Sequence, residues 1–141
     1  ALALHAHAEA HSAGEVLTAP IDVILQADPP LVLQPDLVFI ADARMDMVRD
    51  RIYGAPDIAI EVLSPHPRIG RLDERVNWFA QHGVPEIWLY HQPRRCLEIL
   101  DCADGLVRMR RTLGWTDVVR SAILPELRTT VRSLVERSPL Y

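Results

Sequence analysis

One six-residue run constrains this chain more than any other: Ile58-Ala59-Ile60-Glu61-Val62-Leu63, apolar on both faces except for a single carboxylate. With Pro56 before it and Ser64-Pro65 after it, the run has the pattern of a strand buried in the middle of a sheet and covered on both sides. A carboxylate in such a strand is costly unless it is paired or bound to a cation. Period-2 alternation puts Asp57, Ala59, Glu61 and Leu63 on one face, which is not purely polar. Two readings of Glu61 remain: a half-buried strand with the carboxylate turned to water, or a partnered carboxylate inside the fold.

The flanking sequence supplies the rest of a layered fold. Leu31 to Ala41 is strongly apolar and reads as a strand, with Pro35-Asp36 opening the segment Leu37-Val38-Phe39-Ile40. Val16 to Leu25 reads as extended, broken at Pro20, and Asp28-Pro29-Pro30 as a turn. Asp42 to Ala55 reads as a loop with one helical turn. Arg71 to His82 carries Leu72, Val76, Phe79 and Ala80 on one helical stripe and stops at Gly83. Glu86 to His91 and Cys96 to Asp101 read as two strands, Gly105 to Trp115 as a third that is exposed and Arg-bearing, and Thr130 to Glu136 as a short helix. Ala1 to Ser12 reads as the end of a helix that Gly14 stops. The 141 residues fit one domain, 1–141, of α/β class with a mixed sheet.

Several function classes are disfavoured at once. The longest unbroken apolar run, Leu37 to Ala41, is far short of the roughly 18 residues of a membrane helix. Cys96 and Cys102 are too few for a disulfide scaffold or a zinc framework. No basic segment precedes an apolar core near the start, so a cytoplasmic protein is expected. The six glycines are scattered, with no phosphate loop and no GxSxG elbow. Residues 1–93 carry 6 Arg against 13 acids, a balance of −7; residues 94–141 carry 9 Arg against 6 acids, a balance of +3. An acidic body is a poor non-specific nucleic-acid binder, whereas the basic C-terminal third can face phosphates or water. All 15 basic residues are arginine.

Five short motifs then fall in one order: Ala19-Pro20-Ile21-Asp22-Val23, Gln34-Pro35-Asp36-Leu37-Val38, Gly54-Ala55-Pro56-Asp57, Glu61-Val62-Leu63-Ser64-Pro65 and Gly83-Val84-Pro85-Glu86-Ile87-Trp88. Their spacing resembles a large bacterial family of putative restriction endonucleases within the PD-(D/E)xK nuclease superfamily, over roughly residues 14 to 130. The resemblance implies a restriction-endonuclease-like core, a mixed central sheet flanked by helices. It implies a metal-dependent endonuclease that hydrolyses DNA, with Asp36 and Glu61 as the two acids that hold Mg²⁺ or Mn²⁺. The superfamily's lysine lies two residues after the second acid, where this chain has Leu63. In this family it comes from the next helix, four residues before an aromatic residue, and that position is Arg75, four before Phe79. Arginine keeps the charge and grips phosphate bidentately, but it cannot act as a general base.

Helical geometry leaves Arg75 at the edge of the apolar stripe, where its stem either lies over the core or reaches a sheet-edge site; the resemblance implies the latter. An acid of the N-terminal helix, with Glu9 as the candidate, would complete the site. Asp73 matches an acid frequent in the family and also suits a first helical turn. Ser64 either hydrogen-bonds near the site or shapes the turn. His5, His7 and His11 read as a solvated helix face, His82 as a helix-end histidine, Cys96 as core, and Trp88 and Tyr90 as core or interface. Two other classes compete with the enzyme. One is a catalytically degenerate binding module, favoured by Arg75 and the acidic charge. The other is a homodimer partner paired through the strand Leu106 to Arg111 and Trp115.

Overall fold

The computed structural model describes residues 13–64 and 69–136. The chain lays down β1 (Gly14–Thr18), β2 (Val23–Gln26), β3 (Leu31–Leu33), β4 (Leu37–Ala41) and a 3-10 turn (Asp42–Met47). It continues through β5 (Ile52–Tyr53), β6 (Ile58–Leu63), helix α1 (Ile69–Gln81), β7 (Glu86–His91), β8 (Cys96–Ala103) and β9 (Leu106–Leu113). It closes with β10 (Val118–Val119), β11 (Thr129–Thr130) and helix α2 (Val131–Glu136). Six strands form one sheet in the order β1-β4-β6-β7-β8-β9. Every neighbouring pair is antiparallel except β6 and β7. Parallel neighbours cannot be joined by a hairpin, so the chain must cross over between them, and α1 is that crossover. The mixed sheet expected from the sequence is therefore present. Strands β3, β2 and β5 form a separate small sheet, and β10 pairs with β11.

Side-chain alternation sorts the sheet into two faces. Ile58 and Ile60 of β6 join Phe39, Trp88, Leu97 and Ile99 in a core that Val119, Leu124, Leu127, Val131 and Leu134 cover from the C-terminal segment. Ala59, on the other face of β6, packs with Ile87, Leu89 and Leu100 beneath Val76 and Phe79 of α1. Ile58, Ala59 and Phe79 are fully buried. Glu61 shares the parity of Ala59, so it faces α1. Among the described residues, the cover on the face away from α1 is mostly irregular chain with one short helix.

Several expectations change in detail. Leu31 to Ala41 is two strands in two sheets, because Pro35 has no N–H to extend a ladder and the chain turns there. Helix α1 begins at Ile69, two residues before Arg71, which puts Asp73 beyond the first turn rather than in it. Gly14 opens β1, and a Cβ there would meet the Ile40 carbonyl oxygen at 2.1 Å. The β8–β9 hairpin turns at Asp104-Gly105, both at positive φ, as a type I′ turn requires. Strands β10 and β11 were not expected: two residues each is too short for a periodicity to register.

Trp88 is core, and its indole N–H donates to the buried Glu86 at 2.6 Å. Cys96 is only half-buried. Trp115 packs against the larger core with Arg95 over its ring, so changing it would disturb that core as well as any interface. Strand β9 is a sheet edge with Leu106 and Met109 exposed. No helix among the described residues is long and apolar enough to cross a membrane. The N-terminal helix with His5, His7, Glu9 and His11, and the Pro65 break, lie outside the described residues.

Candidate active site

Asp36 and Glu61 meet where the β4–β6 ladder ends. The last paired rung on this side is Leu37 with Ile60, so Asp36 and Glu61 stand opposite one another one step further on. Each carboxylate takes a backbone N–H of the other strand. The Asp36 N–H donates to Glu61 Oε1 at 3.0 Å, and the Val62 N–H donates to Asp36 Oδ2 at 2.7 Å. Side chains thus replace the ladder bonds that the turn at Pro35 interrupts, and the two acids are held at fixed positions.

Arg75 joins them from α1. Its Nε donates to Glu61 Oε2 at 2.7 Å, and its Nη2 contacts the same oxygen. Nη2 also donates to the Gln34 carbonyl at 3.1 Å. The stripe-edge position therefore reaches the sheet, and the alternative of a guanidinium free in solvent does not hold. Gln34, the residue before Pro35, is a contributor that sequence reasoning did not single out. Its amide donates to Asp22 Oδ1 at 2.6 Å, which ties the site to the start of β2. Asp22 and Gln34 lie in the first and second of the five sequence motifs, the signal that could have found them.

The Glu61 side chain is 9% exposed and that of Arg75 is 26% exposed. Burial pushes the Glu61 carboxyl above its usual 4.5, and the Arg75 charge and hydrogen bond oppose that rise. Asp36 is exposed to solvent. The centre has two carboxylates and one guanidinium, hence one surplus negative charge.

The donor set was tested against a divalent cation. Mg²⁺ and Mn²⁺ take hard oxygen ligands, and one or two carboxylates with waters and phosphate oxygens suffice. Asp36 Oδ1 accepts no hydrogen bond among the described residues. Both Glu61 oxygens are engaged, but each retains a second lone pair. The residues fit such a cation, provided that it shares Glu61 with Arg75. No cluster of three His, Cys, Asp or Glu suited to a metal occurs among the described residues, and Asp36 and Glu61 are the two carboxylates brought together there.

The other candidates stand apart from this cluster. Asp73 is exposed on α1, and Ser64 is exposed just beyond β6. Leu63, at the superfamily's lysine position, packs partly buried beneath α1. His82 bonds the Trp78 carbonyl through Nδ1 at 2.8 Å, the tie expected of a helix-end histidine. Asp57 is structural: it accepts from the Ala41 N–H at 2.7 Å and pairs with Arg44 at 3.0 Å, fastening the 3-10 turn to β6. Glu86, at the start of β7, is a buried acid that sequence reasoning did not single out. It is 1% exposed and accepts from Trp88 and from the Ile123 N–H.

Among solved structures, the chain resembles a putative nuclease belonging to DUF820 from Anabaena variabilis ATCC 29413. The identity is 14%, the TM-score 0.73, and the match covers 93% of this chain and 73% of that one. Such a likeness speaks for the fold. No curated protein matches the chain. The family profile for Uma2, described as putative restriction endonuclease, matches residues 1–132. The matched span includes the two-acid corner of β4 and β6 and the helix that carries Arg75, and the chain belongs to the Uma2 family of putative restriction endonucleases.

Proposed function

We propose that this chain is a metal-dependent phosphodiesterase, an endonuclease acting on DNA. The observation that carries the reading is the convergence of Asp36, Glu61 and Arg75 from two strands and a helix at one sheet end. Asp36 and Glu61 would hold Mg²⁺ or Mn²⁺, which when bound lowers the pKa of a water and offsets charge on the scissile phosphate. Asp36, exposed and with Oδ1 open, presents its oxygen toward solvent, the side from which a strand arrives. Glu61, buried and anchored on the Asp36 N–H, sets the depth of the site. Arg75 supplies a fixed positive charge whose orientation the Gln34 carbonyl holds, and its remaining N–H groups can grip a phosphate oxygen. It does not deprotonate, so proton removal from the attacking water falls to a carboxylate.

A second reading is favoured by one observation: Arg75 already neutralises Glu61. A cation must compete with that guanidinium, as expected of a catalytically degenerate binding module. The test is a Mn²⁺ titration by calorimetry on the wild type, Asp36→Asn and Glu61→Gln, followed by a plasmid-cleavage assay with Arg75→Lys beside the wild type. The nuclease reading expects binding in the wild type, loss in both acid variants, and cleavage by the wild type or Arg75→Lys. Metal binding with no cleavage by either form supports the module. No metal binding, even with a DNA duplex present, refutes the two-carboxylate site.

A further inference from the structure

A cluster of arginines lies on the face of the sheet opposite to the one that α1 covers. Leu97, Ile99 and Asp101 of β8 share one parity, and Leu97 and Ile99 belong to the core away from α1. Met109 and Arg111 of β9 stand opposite Asp101 and Ile99 on that face. There the segment between β10 and β11 leaves an open cavity of ≈ 470 Å³, with Met109, Arg111, Arg120, Ala122, Pro125 and Arg128 in its wall. That volume is within the roughly 300–1,000 Å³ of small-ligand sites.

The charges around the cavity do not balance. Arg111 is spent: it pairs with Asp101 at 3.2 Å, and its Nη1 donates to the Arg120 carbonyl at 2.8 Å. Arg128 is held in place, its Nη1 donating to the carbonyls of Pro125 and Leu127 at 2.6 and 3.0 Å. Those bonds are to neutral acceptors, so its charge stays uncompensated and Nη2 is open among the described residues. The Arg120 side chain has no hydrogen-bond or ion-pair partner among the described residues. Two unneutralised guanidinium groups therefore border one cavity, and an anion between them would relieve their repulsion and accept paired N–H donors. The same cavity wall carries an apolar part, Met109, Ala122 and Pro125, with Met109 56% exposed. A bare inorganic anion would leave that surface wet.

We propose that this pocket binds a nucleoside phosphate group: the phosphate on Arg120 and Arg128, the sugar or base against Met109 and Pro125. The source is a free nucleotide or a nucleotide within a strand. The assignment uses neither Asp36 nor Glu61 and stands or falls apart from the cleavage chemistry. It also gives the basic C-terminal third of an otherwise acidic chain a specific phosphate to face.

The experiment compares the wild type, Arg120→Gln/Arg128→Gln, and a control on strand β9, Arg108→Gln/Arg110→Gln. Both control arginines already face an acid, Asp104 and Glu98. Adenosine 5′-monophosphate is titrated by calorimetry and a labelled 12-base-pair DNA duplex by fluorescence anisotropy. The pocket variant should weaken binding of at least one ligand about tenfold or more, and the control less than about threefold. Loss for the mononucleotide alone assigns a free-nucleotide site; loss for the duplex, with a shallower salt dependence by about 0.9 per lost phosphate contact, assigns strand binding. The proposal is overturned if the wild type binds neither ligand at millimolar concentration. Unchanged binding by the pocket variant, or equal loss in the control, overturns it too. Should the double variant unfold because Arg128 braces two carbonyls, Arg120→Gln alone carries the test.

Discussion

Replacing Arg75 with alanine tests the reasoning about the site most directly. The substitution leaves the Glu61 carboxylate, 9% exposed, without its cationic partner, although the Asp36 N–H still donates to it. Removing one member of a buried pair costs roughly 3–5 kcal/mol. Arg75 is a quarter exposed, so water enters the vacated edge and the expected loss at pH 7.5 falls to about 2–3 kcal/mol. For a chain of this length that corresponds to a drop in Tm of roughly 5–10 °C. The loss should depend on pH. Burial already holds Glu61 above 4.5, and Arg75 is the largest influence opposing that rise. At pH 4 Glu61 is mostly neutral in both proteins, so the difference should shrink to the packing of the arginine stem, about 1 kcal/mol or less. Thermal unfolding followed by circular dichroism at both pH values measures this. A double-mutant cycle with Glu61→Gln, whose amide oxygen can still accept from Asp36, should show a coupling of about 1–3 kcal/mol. Equal destabilisation at both pH values, or additive effects in the cycle, would refute a charge pair at this position.

Three further outcomes are expected. Glu61 keeps its proton longer in the native state than in the unfolded chain, so its contribution to wild-type stability is full below 4.5 and is lost as pH rises through the native value; Tm measured against pH should lose that descending component in Glu61→Gln, and parallel curves would contradict the burial of Glu61. Phe79→Ala, at a fully buried position between α1 and the sheet, should cost about 3–5 kcal/mol in guanidinium unfolding, and a loss under about 1 kcal/mol would mean that α1 does not pack there. Gly14→Ala places a Cβ 2.1 Å from the Ile40 carbonyl oxygen and should destabilise by about 1–3 kcal/mol in urea, whereas an unchanged midpoint would reject the pairing of Gly14 with Ala41.

The place of the candidate site follows from where a ladder stops. Had β4 continued through residues 35 and 36, its backbone would have satisfied the Val62 N–H, and the Asp36 carboxylate would have had no strand to brace. Proline ends the ladder, and the two acids take over its bonds while remaining available to a ligand from the open side. The same corner lets Gln34 turn its carbonyl toward Arg75. Stability and site are therefore coupled here: each carboxylate that would serve a cation also closes a gap in the backbone hydrogen bonding.

Much of this was legible in the linear chain, for stated reasons. Strand β6 was visible because burial on both faces leaves a long apolar run, and α1 because one face of a helix repeats at 3.6 residues. Asp36 and Glu61 were visible as candidates, one acid beside a proline and one inside an apolar strand, whereas Arg75 at its stripe edge was pointed out by the family resemblance. Their meeting was not legible from the residues alone. It depends on an antiparallel register that sets Leu37 against Ile60, and on a crossover that lays α1 over that face of the sheet. The burial of Glu86, the split of Leu31 to Ala41 between two sheets, and the arginine pocket also escaped the linear reading. Local pattern records which faces are apolar, because burial acts on each residue through its nearest neighbours in the chain. Which polar groups of the site meet is set by pairings across 14 to 41 residues, and these arise only when the sheet and its crossover helix close.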